Sequence, residues 1–191
     1  MRPSDAAVRQ TGAMSSPADE QLPTSPALHD ALEPIAFLVG TWRGVGVGGY
    51  PTIGEFRYEQ EVVFSSDGRP FLQYASRSWI LDDDGRRVRP AASELGWWRP
   101  GAQPRSLEVM LAHHTGVVEI YHGEVTFTKI ELATDVVART ESAKEVSGFK
   151  RLYGLVGGED GGEKDLAYAI DMAAVGQPLQ AHLSARLAKV V

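Results

Sequence analysis

Five histidines are the strong neutral donors in this sequence: His29, His113, His114, His122 and His182. The chain has no cysteine, which removes disulfides, thiolate metal sites and a Cys nucleophile. His113 and His114 are adjacent, so on a strand they point to opposite faces and cannot grip one ion together. No two histidines have i, i+4 or i, i+2 spacing, which argues against a multi-histidine zinc site. A site that needs a single imidazole stays open. Other chemistries fail earlier. There is no G-x-S-x-G elbow and no G-x-x-x-x-G-K-[ST] loop. "GVGVGG" is glycine-rich but runs into Tyr50-Pro51 and a strand, so no helix N-terminus follows it to cradle a phosphate. The carboxylates Asp82 to Asp84 read as solvated turn charges.

The elements that would carry a site are strands. In "EFRYEQEVVF", Phe56, Tyr58, Val62 and Phe64 fall on one face and Glu55, Arg57, Glu59 and Glu61 on the other. Similar runs follow: "PFLQYASRSWIL", "SELGWWRP", "SLEVMLAHH", "GVVEIYHG", "EVTFTKIELAT", "VVARTE", "EVSGFKRLYGLV", "DLAYAIDMAAV" and "PLQAHLSARLAKVV". His122 is placed at a turn before Gly123. In the last run, Leu183 and Leu187 share one strand face and His182 takes the other. About ten short strands with no helix-length crossover predict an all-β, up-and-down antiparallel barrel of the lipocalin or fatty-acid-binding kind. Ahead of it, "SPALHDALEPIAFLVG" predicts a short N-terminal helix capped at Ser25-Pro26, with Leu28, Ala31, Leu32 and Ile35 on one face, His29 in solvent and Pro34 as a breaker. Trp42 is expected to cap the barrel floor with its indole N–H on a carbonyl. Trp79, Trp97 and Trp98 are expected in the core.

Bulk properties narrow the partners. The chain has 191 residues and a formal net charge of -6, too acidic for a general nucleic-acid binder. It holds no apolar run of membrane-spanning length. Residues 1–26 read as a disordered tail without a signal peptide, and residues 27–191 as one barrel domain. The absence of cysteine suits a cytoplasmic protein.

The stretch "GTWRGVG" fits G-x-W-x-G-x-G over Gly40, Trp42, Gly44 and Gly46. "YPT", "EVVFSSDGRPFLQY", "LAHHTGVVEIYHGEV", "SAKEV" and "AVGQPLQAHL" follow in order. Together, over roughly residues 28–190, they resemble the nitrobindin family of haem-binding β-barrels.

That resemblance implies haem b, one per subunit, with His182 as the axial iron ligand and catalytic centre. It implies haem contacts from Thr52 and Lys144, and an open or water-bound sixth position that His113 or His114 would line without bonding the iron. It implies a haem-dependent peroxynitrite isomerase that makes nitrate, binds nitric oxide, and scavenges or senses reactive nitrogen species. Partners on this reading are small molecules, with no nucleic acid and no membrane, and a homodimer is left open. Two rivals stay on the table: a barrel carrier of a fatty acid or other apolar ligand, and an interaction domain with no small ligand. "GGEDGGEK", residues 157–164, reads as a surface insertion with a possible effect on pocket access.

Overall fold

The computed structural model describes residues 26–157 and 162–190. The predicted tail lies outside the described residues but for Pro26. Ten strands follow one short helix: β1 (Gly40–Tyr50), β2 (Ile53–Ser65), β3 (Leu72–Leu81), β4 (Arg87–Pro100), β5 (Ser106–His113), β6 (Val117–Thr126), β7 (Lys129–Arg139), β8 (Val146–Val156), β9 (Asp165–Ala174) and β10 (Gln180–Val190). Each strand pairs antiparallel with its sequence neighbour, and β1 pairs with β10 to close the barrel. Closure leaves no sheet edge exposed.

Alternation decides the inside. Tyr58, Gln60, Val62 and Phe64 of β2 point inward, as do Leu107, Val109 and Leu111 of β5 and Leu166, Tyr168 and Ile170 of β9. The two ends of the barrel differ. The helix and the β2–β3, β4–β5, β6–β7 and β8–β9 turns gather at one end. The β1–β2, β3–β4, β5–β6, β7–β8 and β9–β10 turns form the other end, the mouth.

The helix is 3-10, spans Asp30–Leu38 and seals the far end. It begins later than the Ser25-Pro26 cap predicted: His29 is the N-cap, its Nδ1 accepting from the Ala31 N–H at 3.1 Å. Pro34 does not break it. A three-residue repeat buries Leu32, Ile35 and Leu38 in line, and Ala31 faces solvent instead of the core. The Trp42 indole donates to the Leu38 carbonyl at 2.7 Å, tying the plug to β1.

Other expectations shift. Trp98 is fully buried, but Trp97 is 50% exposed, because consecutive residues of one strand face opposite ways. Trp79 also faces outward, beneath the Arg87 guanidinium 3.8 Å from its ring centre. His122 is not at a turn: β6 runs through Gly123, and the turn falls at Phe127, whose φ is 55°. "VVARTE" is the end of β7, not a separate strand.

The glycines of β1 explain how the barrel closes. A Cβ on Gly44 would run into the Arg186 carbonyl of β10, and one on Gly46 into the Tyr58 ring and the Ser184 carbonyl at 2.5 Å. The bare backbone lets β10 approach and gives the Tyr58 ring its place. Gly44→Ala should lower unfolding stability by about 1–3 kcal/mol, read in a urea melt. Gly54→Ala, where a Cβ meets open space, should change it far less.

Candidate functional site

His182 owes its position to a fault in the ladder. Ala181 pairs with Asp171, but the next paired residue, Leu183, pairs with Ile170, so His182 is the extra residue of a β-bulge. A bulge re-aims a side chain. The imidazole lines a cleft at the mouth together with Gly48, Tyr50, Phe56, Ile80 and Leu183. The cleft measures about 1030 Å³, at the top of the common range for ligand sites.

The ring is held in one state. Its Nδ1 lies 3.0 Å from the Gly49 carbonyl, and a carbonyl can only accept, so Nδ1 carries the hydrogen. The Nε2 lone pair is left for a ligand. Tyr50 stands edge-on, with ring centres 5.6 Å apart, and its hydroxyl is fixed by the Met172 and Ala174 backbone. Burial pushes the His182 pKa down, and the Gly49 hydrogen bond opposes this only in part. The imidazole is therefore neutral near pH 7, the form a metal requires.

The other predicted residues fall around this end in different ways. Thr52, at the tip of the β1–β2 turn, and Lys144, in the β7–β8 turn, are exposed at the mouth and are not among the residues lining the cleft. His114 turns outward and accepts from the Ser93 N–H at 3.2 Å. His29 caps the helix, and His122 faces solvent. His113 points into the barrel, stacked on Phe149, but is already engaged. Its Nε2 is 2.9 Å from Glu119 Oε1 and its Nδ1 3.6 Å from Glu94 Oε1, ion-pair contacts without hydrogen-bond alignment at Nε2. Among the described residues no group of three or more His, Asp and Glu is arranged to hold a metal ion.

His113 belongs to a buried ionic cluster that the sequence reading missed. Arg151 grips Glu94 with two nitrogens at 3.0 and 3.1 Å, Glu119 at 3.1 Å and the Tyr121 hydroxyl at 2.7 Å. Tyr74 donates to Glu94 at 2.9 Å. The signal was parity. Glu119 lies between inward Val117 and Tyr121, Arg151 between Phe149 and Tyr153, and Glu94 two residues before Gly96 and four before Trp98. Each charge sits on a core-facing position.

Burial alone would raise the Glu94 carboxyl, but the charges of Arg151 and His113 outweigh it and hold it at about 2. Burial would lower His113, but Glu119 and Glu94 win and raise it. With His113 protonated, two carboxylates meet two cations.

The sequence model of the THAP4-like, heme-binding beta-barrel domain matches residues 31–189. The chain belongs to this family. It is 54% identical to a peroxynitrite isomerase of Nocardioides sp. over 162 residues, 85% of this chain and 94% of that protein. It is 51% identical to a peroxynitrite isomerase of Salinispora arenicola, over 88% of this chain and 85% of that protein. It is 45% identical to a ferric nitrobindin-like protein of Streptomyces griseus, over 86% of this chain and 84% of that protein. Among solved structures, that of Rv2717c from M. tuberculosis matches with a TM-score of 0.74 and 39% identity, covering 86% of this chain and all of that one. The family's cofactor fits this chain: a roomy cleft, an apolar wall and one neutral imidazole with a free nitrogen.

The cluster gives stability two pH limbs. Glu94 is depressed, so its contribution is present above its ordinary 4.5 and is lost as pH falls toward 2. His113 is raised, so its contribution is full below its ordinary 6.5 and is lost as pH climbs through the raised value. Urea melts across pH should show both limbs. His113→Gln should abolish the alkaline limb and also shrink the acid one, because the His113 charge helps to depress Glu94.

Proposed function

We propose that this chain is a peroxynitrite isomerase that holds haem b through His182. One observation carries the reading: the His182 ring is clamped by Gly49 with its second nitrogen free, in a cleft of about 1030 Å³. Bound there, haem would supply the ferric Lewis-acid chemistry for turning peroxynitrite into nitrate. The rest is the work of the chain. Gly49 fixes the tautomer and bearing of His182 and makes Nε2 more electron-rich. Tyr50 props the ring from the side. Thr52 would offer its hydroxyl at the rim, and the Lys144 ammonium would meet a propionate as a point charge. Phe56, Ile80 and Leu183 would shield the bound group from water. His113, held by Glu119 and Glu94, would leave the metal to peroxynitrite or nitric oxide. Turnover would serve to scavenge or sense reactive nitrogen species in the cytoplasm; no described helix is long and apolar enough to cross a membrane.

Hemin titration should give a sharp Soret band, and His182→Ala should abolish it. Lys144→Ala should weaken binding by less than about fivefold, as an exposed ion pair is worth up to about 1 kcal/mol. Stopped-flow decay of peroxynitrite should accelerate only with haem present. Tight hemin binding without acceleration would leave a carrier.

The outer face of the sheet supports a homodimer. Leu95, Ala112, Val118 and Ala138 form one cross-strand row on β4 to β7, and Trp97, Met110, Ile120 and Val136 form the next. Leu95, Trp97, Val118, Ile120 and Val136 are all well exposed. The next row is polar, with Arg99 paired to Glu108, and bounds the apolar rows with a charged rim. Light scattering should show a dimer, and Trp97→Glu should return it to monomer with hemin binding intact.

A further inference from the structure

Below the cleft the barrel is filled with phenols and one indole in an unbroken row. Phe56 lines the cleft, and its ring centre is 6.0 Å from that of Tyr58. The Tyr58 hydroxyl lies 2.7 Å from that of Tyr168. Tyr168 packs on Tyr153 at 5.6 Å, Tyr153 on Trp98 at 5.2 Å and Trp98 on Tyr74 at 6.1 Å. All five are buried. These separations are those of rings in direct contact, across which an electron passes readily.

The proton acceptors along the row are unequal. The Trp98 indole N–H has no partner, so an oxidised Trp98 cannot shed its proton and can only pass the vacancy on. Tyr58 and Tyr168 share hydrogen bonds with each other, the Ser184 carbonyl and Gln60, none of them a base. Tyr74 alone in the row donates to a carboxylate, Glu94 Oε2 at 2.9 Å.

We propose that Tyr58, Tyr168, Tyr153, Trp98 and Tyr74 form a relay that draws a one-electron oxidant's vacancy out of the cleft and holds it at Tyr74. The oxidant is nitrogen dioxide, the product of O–O homolysis in peroxynitrite, and only this source rests on the proposed function. Nitrogen dioxide takes one electron from Tyr58 and leaves as nitrite. Electrons then move up the row from Tyr168, Tyr153, Trp98 and finally Tyr74. Tyr74 passes its phenol proton to Glu94: one O–H bond breaks, another forms. The products are nitrite, a neutral Tyr74 phenoxyl radical and a protonated Glu94. Burial pushes the Tyr58, Tyr168 and Tyr74 phenols up, so each enters as the protonated phenol. Glu94, held ionised by Arg151, is ready as acceptor. The relay would consume radicals that otherwise nitrate phenols outside the protein.

The test uses haem-free protein carrying ring-deuterated tyrosine, exposed to nitrogen dioxide from pulse radiolysis and frozen for electron paramagnetic resonance. A phenoxyl signal narrowed by deuterium is expected, and Tyr74→Phe should lose it. Trp98→Phe should strand the radical upstream and change the signal's hyperfine pattern. Tyr121→Phe, which removes a carboxylate-bonded phenol outside the row, should leave it unchanged. An unaltered signal in Tyr74→Phe, or loss in Tyr121→Phe alone, overturns the relay. Hemin binding and peroxynitrite decay, measured separately, judge the proposed function whatever this result.

Discussion

The approach of β10 onto the glycine-lined inner face of β1 is the constraint on which this molecule rests. Barrel closure needs the last strand to lie against the first, and here the contact is too close for side chains at Gly44 and Gly46. The space that those glycines vacate is taken by the Tyr58 ring and by the β10 backbone. β10 pairs with β1 as far as Gly48 and Leu183, and there the His182 ring reaches the Gly49 carbonyl. The imidazole that faces the cleft is placed by the same packing that closes the sheet. Function and fold are coupled through one seam.

The buried ions pull the other way. Replacing a buried ion group by apolar side chains is often neutral or stabilising, since desolvation rivals the Coulombic gain. A quartet of Glu94, Glu119, Arg151 and His113 in a closed barrel is thus weak evidence for stability. Its geometry is tight, with the Arg151 fork filled by two carboxylates and a phenol. Removing one member of such a group is costly, because it leaves a charge buried and unpaired. The quartet also holds His113 away from the cleft. Of the two histidines that point into the barrel, one is free to bind and the other is committed.

Much of the architecture was legible because strands write their faces plainly. Phe56, Tyr58, Val62 and Phe64 against Glu55, Arg57, Glu59 and Glu61 left no second reading of β2. The role of Trp42 was legible from its place beside the glycines. What failed were positions where ring size was read ahead of parity, and one where alternation stops. Trp79 follows inward Ser78, and Trp97 stands between inward Gly96 and Trp98, so alternation turns both outward. Strict alternation would turn His182 away from Leu183 and Leu187, and only the bulge brings it to the cleft. The helix was misjudged in period, since a three-residue repeat and a 3.6-residue repeat look alike over nine residues. The ionic cluster was readable by parity, but only once the strands were known to close.

The two ends of the barrel divide the labour. The far end is shut by Leu32, Ile35, Leu38 and Trp42, all but inaccessible to solvent. Of the 157–164 stretch, the described residues 157 and 162–164 lie in the β8–β9 connection at that shut end, and residues 158–161 lie outside the described residues. The turns that crown the mouth include the ones that carry Thr52 and Lys144. Those two side chains are exposed, while Gly49, Tyr50 and His182 are joined by backbone hydrogen bonds. A large planar ligand entering such a mouth meets a fixed inner donor and a solvent-facing rim. The donor's bearing is set by the same backbone contacts that shape the barrel wall, whereas the rim contributes only exposed side chains.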